Sequence, residues 1–254
     1  KKEMQLAQQI QHTLIPQEFP EIEGYDIQSY YESAVEVGGD FYDFVEVDKD
    51  TLGVAVADVS GKGVPGSLMM ATIRTALRTE ARGIKDAAEV LTKVNDLVVS
   101  DMHKGMFVTI FYVVIDSRKR KLNFASAGHN PMILYRPRTN KTYYLNPKGF
   151  PIGIRLPEKD LFKRTIESDT IALNEDDILI LNTDGITEAM NRRRELFGDE
   201  RFLEVIRNVG EKSATEFIDS LKNTMNTFTE GSPQSDDITL VALKEKKSAK
   251  KLEY

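Results

Sequence analysis

The sequence contains no cysteine, no tryptophan and only three histidines. The absence of cysteine excludes disulfides, thiolate metal sites and a cysteine nucleophile, and it fits a reducing compartment, so we expect a cytoplasmic protein. The three histidines, His12, His103 and His129, are scattered and cannot form a His-rich zinc site. No apolar run approaches the roughly 20 residues needed to cross a bilayer, so we expect no membrane span.

The chain is also short of positive charge. Its 254 residues carry a formal net charge of −6 at pH 7, and Lys and Arg gather mainly between Lys244 and Lys251. Because affinity for nucleic-acid backbones rests on clustered Lys and Arg, we expect no nucleic-acid partner. The length suits one domain with a full hydrophobic core.

Three segments are predicted: a coiled-coil-like helix within 1–16, a globular domain at 17–244 and a basic tail at 245–254. The helix carries an apolar stripe that Pro16 ends. It either packs on its own domain or forms the end of a coiled coil, which would make a homodimer. Because the sequence starts at Lys1 without a Met, we expect an upstream sensor domain that is missing from this chain.

The remaining pattern predicts two groups of strands with helix pairs between them. The predicted strands are 26–32, 41–47, 52–59, 107–115, 121–127, 131–136, 142–145, 161–167, 177–183 and 238–243, and the predicted helices are 65–82, 86–102, 199–208 and 213–228. The first three strands follow too closely for crossover helices, so an antiparallel meander is expected. Each helix pair must bury its apolar stripe on a sheet, which predicts an α+β fold of two face-to-face sheets with helices outside.

Acidic residues recur where the predicted strands begin or end. Asp58 closes the apolar strand 54–57, Asp40 precedes a strand, Asp184 ends one, and Asp236 with Asp237 opens the last. Since an unpaired carboxylate is costly to bury, this recurrence predicts one shared acidic cluster. Oxygen ligands without Cys and almost without His favour Mg²⁺ or Mn²⁺. Two such ions about 3.5–4 Å apart can activate water for phosphoester hydrolysis.

The acids lie in five ordered motifs that resemble one family. The motifs are Gly38-Gly-Asp-Phe-Tyr-Asp43, Val56-Ala-Asp-Val-Ser-Gly-Lys-Gly-Val-Pro-Gly-Ser67, Ala125-Ser-Ala-Gly-His-Asn-Pro131, Asn182-Thr-Asp-Gly-Ile-Thr-Glu-Ala189 and Asp236-Asp-Ile-Thr-Leu240. Together they resemble the SpoIIE/RsbU branch of the PPM (type 2C) serine/threonine phosphatases, from about Gln11 to Leu243. The resemblance implies a four-layer α-β-β-α sandwich with two Mn²⁺ or Mg²⁺ ions, and makes 17–244 a phosphatase domain.

The resemblance also implies the ligands. Asp40 and Asp58 would bridge or flank the metal pair, with the backbone carbonyl of Val59 as a further ligand. Asp184 and Asp236 would hold the second side. Asp237 is the alternative to Asp236, since two adjacent acids leave the register open by one residue. The same four aspartates, Asp40, Asp58, Asp184 and Asp236, are the expected catalytic residues.

By resemblance, the function is hydrolysis of phosphoserine or phosphothreonine on a protein. Members of this branch imply a phosphorylated STAS-type anti-sigma-factor antagonist as substrate, in bacterial partner-switching and stress-response signalling. Two alternatives stay open: a catalytically silent binding module of the same fold, and a metal-dependent phosphodiesterase acting on nucleotides. All four ligand positions are acidic, which favours an enzyme.

Several positions depart from the wider family or allow two interpretations. Ser60 stands where eukaryotic relatives have a His, and no Arg or Lys lies between residues 28 and 48, so phosphate must be held differently. Lys62 is a candidate cation, although a solvated turn lysine is the simpler interpretation. His129 could donate a proton, but a turn histidine more often bonds backbone. Asp43 is expected to support a ligand or cap a turn.

Overall fold

The computed structural model describes residues 2–158, 160–209 and 212–246. Within them the chain forms ten strands and six α-helices. In chain order these are α1 Lys2–Leu14, β1 Tyr25–Glu32, β2 Phe41–Asp48, β3 Thr51–Val59, α2 Val64–Glu80, α3 Ala87–Val98, β4 Val108–Asp116, β5 Lys121–Ala127, β6 Met132–Arg136, β7 Lys141–Leu145, α4 Leu161–Thr165, β8 Ser168–Ile171, β9 Ile178–Asn182, α5 Gly198–Val209, α6 Ala214–Thr229 and β10 Ile238–Glu245.

The strands form two five-stranded antiparallel sheets. The first has the order β1-β10-β9-β6-β7 and the second the order β2-β3-β4-β5-β8. Helices α2 and α3 pack on the second sheet, and α6, paired with α5, packs on the first. The predicted layer order, helices, sheet, sheet, helices, is therefore confirmed.

Side-chain alternation along β10 shows why the sheets stack. Val241 and Leu243 point into the core that the two sheets share with α2 and α3. Leu240 and Ala242 point the other way, into a second core beneath α5 and α6. Because neighbouring residues of a strand face opposite sides, a strand whose residues 240–243 are all apolar has to be covered on both faces. Such a strand belongs in the middle of a layered fold.

The helix ends predicted from capping signals are present. The Ser213 side chain accepts the Glu216 N–H while the Glu216 carboxylate accepts the Ser213 N–H, a complete capping box at the start of α6. At the start of α3, Asp86 accepts the N–H of Glu89 at 3.0 Å. These contacts satisfy amide groups that a helix leaves without internal partners.

The predicted meander of the first three strands is wrong. β2 and β3 pair as a hairpin, but β1 pairs with β10 in the other sheet, with Tyr25 opposite Glu245. Residues 33–40 are long enough to carry the chain from one sheet to the other. Spacing along the sequence cannot reveal this, because the true partner of β1 is about 200 residues away.

The predicted strand at 161–167 is also wrong. This segment forms the short helix α4, and a strand that was not predicted, β8, follows it at the edge of the second sheet. Phe162 and Ile166 are both buried, and a spacing of four places them on one side of a helical turn rather than on one face of a strand.

The N-terminal helix and the C-terminal strand can be compared with the predicted end segments. In α1, Leu6 and Ile10 are more than half exposed, so part of the apolar stripe is uncovered. At the other end, β10 continues to Glu245, the first residue of the predicted basic tail, and the neighbouring Lys244 is buried and donates to the carbonyl of Lys212. Residues 247–254 of the predicted tail lie outside the described residues. Across the described ranges, no helix is long and apolar enough to cross a bilayer.

Candidate metal centre

The predicted acidic cluster forms at one end of the sandwich, where both sheets contribute. Asp40 immediately precedes β2, and Asp58 is the last residue but one of β3. Asp184 follows β9, and Asp236 precedes β10. The second sheet thus supplies the first two carboxylates and the first sheet supplies the other two.

Asp40 and Asp58 form the buried part of the cluster. Asp40 is only 4% exposed, and the Thr239 hydroxyl donates to its carboxylate at 3.1 Å. Burial raises the pKa of Asp40 well above its usual value, and the charge of Asp58 acts in the same direction. Burial likewise raises the pKa of Asp58 to about 6, helped by Asp184 and Asp236. These carboxylates are surrounded by like charge, which is relieved by taking up a proton or by binding a cation.

Asp184 and Asp236 form the more open side. Burial, and then the charge of Asp236, raises the pKa of Asp184. Glu188 joins this side, since the charge of Asp184 is the main cause that raises its pKa. The backbone N–H of Glu188 donates to the backbone carbonyl of Asp184 at 2.9 Å, which places the two residues side by side. Glu188 lies in the same motif as Asp184, but it is not among the predicted site residues.

Asp237 has a different surrounding from Asp236. Its carboxylate accepts the N–H groups of Ala34 at 2.8 Å, Gly39 at 3.0 Å and Asp40 at 3.4 Å. It therefore fixes the loop that leads into β2 and presents Asp40. Asp236 instead has a side chain 36% exposed and faces the cluster. This geometry favours Asp236 over Asp237 as a ligand.

The loop around Gly39 brings a backbone carbonyl to the site. A Cβ on Gly39 would lie 2.7 Å from the carbonyl oxygen of Val59, so only glycine allows this approach. The predicted further ligand, the Val59 carbonyl, thus lies against the loop that carries Asp40.

Lys62 is part of the site and not simply a solvated turn residue. Its amino group lies 3.0 Å from the carboxylate of Asp236 and donates to the carbonyl of Ser235 at 2.9 Å. The side chain is 59% exposed. A cation on the open side of the cluster can be displaced by a metal ion or can meet an incoming phosphate.

The pKa of His129 is perturbed by burial and not by the charge of the aspartates. It is buried in the turn after β5, where its Nδ1 lies 2.9 Å from the Thr109 hydroxyl and its own N–H donates to the Ser126 hydroxyl. Burial lowers the pKa of His129 to about 4. Because the imidazole is neutral near pH 7, it is a poor proton donor, which argues against the catalytic interpretation.

Asp43 is held by cations on α2. Arg78 donates to both of its oxygens at 2.6 Å, and Arg74 lies 3.3 Å from one of them. Asp43 thus fastens α2 to β2 rather than capping a turn. The sequence signal for this contact is the spacing of Arg74 and Arg78, four residues apart on one face of α2.

The donor set fits hard divalent cations, because it consists of carboxylate and carbonyl oxygens. In the described residues, no three acidic or histidine side chains are already aimed at one common position. Asp40 shares a hydrogen bond with Asp58, and Asp236 pairs with Lys62. Binding of a metal ion would exchange these contacts for bonds to the ion.

Comparison with known proteins gives the family. The model of the family described as Stage II sporulation protein E (SpoIIE) matches residues 48–246. Phosphoserine phosphatase RsbU of Bacillus subtilis (strain 168) is 33% identical over 188 residues, which cover 74% of this chain and 54% of RsbU. The chain spans about half the length of the curated relatives that it matches.

Solved structures share the fold. The PP2C domain of SiaA from Pseudomonas aeruginosa has a TM-score of 0.83 at 24% identity, with 96% of each chain covered. RsbX in complex with magnesium has a TM-score of 0.65 at 19% identity, covering 89% of this chain and 98% of that one. Because the family model covers most of the sequence and the architecture agrees, the chain belongs to the SpoIIE family and has the fold of the PPM (PP2C-type) phosphatases.

Proposed function

We propose that this domain is a metal-dependent protein serine/threonine phosphatase. The observation that carries the proposal is the convergence of Asp40, Asp58, Asp184 and Asp236 from both sheets, with raised pKa values for the first three. A cluster of like charges costs stability unless it binds cations. Such a cluster is therefore suited to bind metal ions for catalysis. RsbU, a relative of this chain, is named a phosphoserine phosphatase.

The proposed cofactors are two Mn²⁺ or Mg²⁺ ions. Asp40, Asp58 and the Val59 carbonyl would hold one side, and Asp184 with Asp236 the other. When bound, the ions supply an activated water and neutralise charge on the phosphoryl oxygens. RsbX, which shares the fold, was solved with magnesium. Asp237 keeps Asp40 in place through the three N–H groups that it accepts.

The proposed substrate is a phosphorylated STAS-type protein in a bacterial partner-switching pathway. RsbU and RsbP of Bacillus subtilis, both named phosphoserine phosphatases, support this choice. The exposed side of the site, where Asp236 and Lys62 meet, suits a phosphoserine on the surface of a folded protein. A phosphodiesterase would use the same ions, and a silent module would keep the fold without turnover.

One assay separates these functions. Purified protein is incubated with Mn²⁺ and phosphorylated STAS proteins from its own source, and in parallel with bis-p-nitrophenyl phosphate. We expect phosphate release from the protein, loss of release in EDTA, recovery on adding Mn²⁺, and no cleavage of the diester. Turnover unchanged after exhaustive chelation would overturn the metal mechanism. Cleavage of the diester alone would favour the phosphodiesterase, and no turnover of any substrate the silent module.

We also propose that residues 1–16 control the site, under an upstream sensor domain and through a homodimer. The Gln11 side chain donates to the carbonyl of Gly38 at 2.6 Å and accepts the Gly38 N–H at 3.0 Å. This contact joins α1 to the loop before Asp40, while Leu6 and Ile10 remain available for a second helix.

Fusing a parallel dimeric coiled coil in register before Lys1 tests this control. We expect a higher kcat or a lower Mn²⁺ requirement in at least one register. Identical kinetics and metal dependence in several registers would rule out control through α1.

A further inference from the structure

Three consecutive arginines, Arg192, Arg193 and Arg194, occupy the tip of a hairpin between β9 and α5. The hairpin is closed by a β-bridge between Met190 and Leu196. We call residues 190–196 the arginine hairpin. All three arginines are exposed, and they form a positive patch in a chain of net charge −6.

The arginine hairpin is held in shape by Asn191. Its side-chain oxygen accepts the N–H groups of Arg193 at 2.9 Å and Glu195 at 3.0 Å. Its backbone N–H donates to the Glu195 carbonyl at 3.1 Å, and its carbonyl accepts the Arg194 N–H at 2.9 Å. A tip with this many backbone contacts presents its side chains with little further loss of backbone entropy on binding.

Among the described residues, no acidic side chain pairs with these guanidinium groups. In the part that the structure describes, the twelve ion pairs include none of the three arginines. The nearest acid in sequence, Glu195, accepts the side-chain amide of Asn191 at 2.7 Å. These arginines therefore do not stabilise the fold through ion pairs, and their charge is available to another molecule.

The hairpin borders the candidate metal centre. Its first residue, Met190, lines a cavity of about 340 Å³ together with Gly185 and Ser235. Those two residues are the direct neighbours of Asp184 and Asp236. The cavity thus forms a continuous surface from the cluster to the base of the hairpin, and a substrate protein seated on the cluster would cover both.

We propose that the arginine hairpin docks an acidic segment of the phosphoserine-bearing substrate protein. The inference rests on the proposed phosphatase function and adds a recognition surface to it. The chain stays net negative even with two divalent ions bound, so a positive patch beside the site would help to attract and orient a phosphorylated, acidic partner. Arginine suits this role because its fork of N–H donors can bind a carboxylate in a bidentate manner.

Two synthetic phosphoserine peptides test the docking, one flanked by three glutamates and the other by three glutamines. The wild-type protein with Mn²⁺ is expected to show about tenfold higher kcat/KM for the acidic peptide at low salt, a gain in keeping with three exposed charge pairs. This preference should fall to nearly onefold in the triple variant Arg192→Gln, Arg193→Gln, Arg194→Gln. The preference should also fall in 0.5 M salt, because at that ionic strength charges attract each other over only a few ångströms.

A matched control changes the same net charge at the opposite end of the second sheet. Lys119 and Lys121 border the turn between β4 and β5, and Arg82 follows α2; all three are exposed. Their glutamine triple variant is expected to keep the preference for the acidic peptide. A preference lost equally in both triple variants would assign it to net charge and overturn docking by the hairpin.

Hydrolysis of p-nitrophenyl phosphate separates failure of the docking from failure of the function. We expect this small substrate to be cleaved equally by the wild type and the hairpin variant. If wild-type protein cleaves it but shows no preference between the peptides, the docking is wrong and the phosphatase stands. If a nucleic acid, and not the acidic peptide, binds the hairpin in competition assays, the partner class is wrong. If the wild type hydrolyses none of these phosphoesters, the proposed function itself fails, and the docking proposal with it.

Discussion

Two aspartates three residues apart in sequence, Asp40 and Asp43, are both almost fully buried but have opposite surroundings. Asp43 faces Arg74 and Arg78 of α2. Asp40 faces Asp58, Asp237 and the hydroxyl of Thr239, with no cation among the groups that perturb it. A buried acid that pairs with an arginine of the same chain holds two elements of the fold together. A buried acid placed among other acids is suited to bind a cation from solution.

The largest effect is expected from breaking the acidic cluster. In Asp184→Asn the amide keeps the volume but loses the charge, so kcat should fall about 1000-fold, on the order of 4 kcal/mol of transition-state stabilisation. Stability without metal should be equal or higher, because repulsion with Asp236 is relieved. Steady-state kinetics and urea unfolding measure the two quantities.

A variant with near-normal kcat at ordinary Mn²⁺ concentration would show that Asp184 is not a ligand. A matched check is the Mn²⁺ dependence of the melting temperature. Saturating Mn²⁺ at about 100 times Kd stabilises the folded state by about 2.7 kcal/mol, and this gain should shrink in the variant.

The reverse pattern is expected at the other aspartate. Asp43→Asn leaves the guanidinium of Arg74, whose side chain is only 14% exposed, without its carboxylate. Removing one partner of a buried ion pair costs about 3 kcal/mol or more. The urea midpoint should fall accordingly, while kcat of the folded fraction at low temperature should change little.

The matched control is Glu89→Gln, which removes an exposed pair with Lys93. Exposed pairs of this kind contribute less than about 0.5 kcal/mol. A loss of kcat in Asp43→Asn as large as that in Asp184→Asn would mean that the two aspartates belong to one functional unit, against the contrast drawn above.

Sequence patterns predicted the acidic cluster because each acid lies beside a strand end and a turn signal, which are local features. Pairing between distant residues was not predictable in the same way. β1 joins β10, and Lys62 meets Asp236 across 174 positions, and neither contact has a local signature. The role of Asp237 was missed for the same reason, since Ala34 and Gly39, whose N–H groups it accepts, lie about 200 residues away.

His129 supplies a third kind of buried titratable group, and it should dominate part of the pH dependence of stability. Its pKa is about 4 in the folded protein and about 6.5 when unfolded. Well above pH 6.5 the imidazole is neutral in both states, so it does not change the free energy of unfolding with pH. As the pH falls from 6.5 to 4, only the unfolded state takes up the proton, so stability drops by about 2–3 kcal/mol.

Comparison with His129→Gln isolates this effect. The cluster aspartates titrate in both proteins, so their contribution cancels in the difference. Urea unfolding at pH 7.5 and pH 4.5 should show the wild type losing more stability than the variant. An equal loss in both proteins would mean that the buried imidazole is not the group responsible.

The smallest effect is expected from the contact between Gln11 and Gly38, and it tests whether an uncharged contact can change the metal affinity of the acidic cluster. Gln11→Met keeps the shape of the side chain but removes both hydrogen bonds to Gly38, which should lower the free energy of unfolding by about 1 kcal/mol. Ser213→Ala removes the cap of α6 and should cost a similar amount. Because Gly38 is two residues from Asp40, only Gln11→Met should raise the Mn²⁺ concentration needed for half-maximal activity. Equal metal requirements in the two variants would show that α1 stabilises the domain without acting on the metal centre.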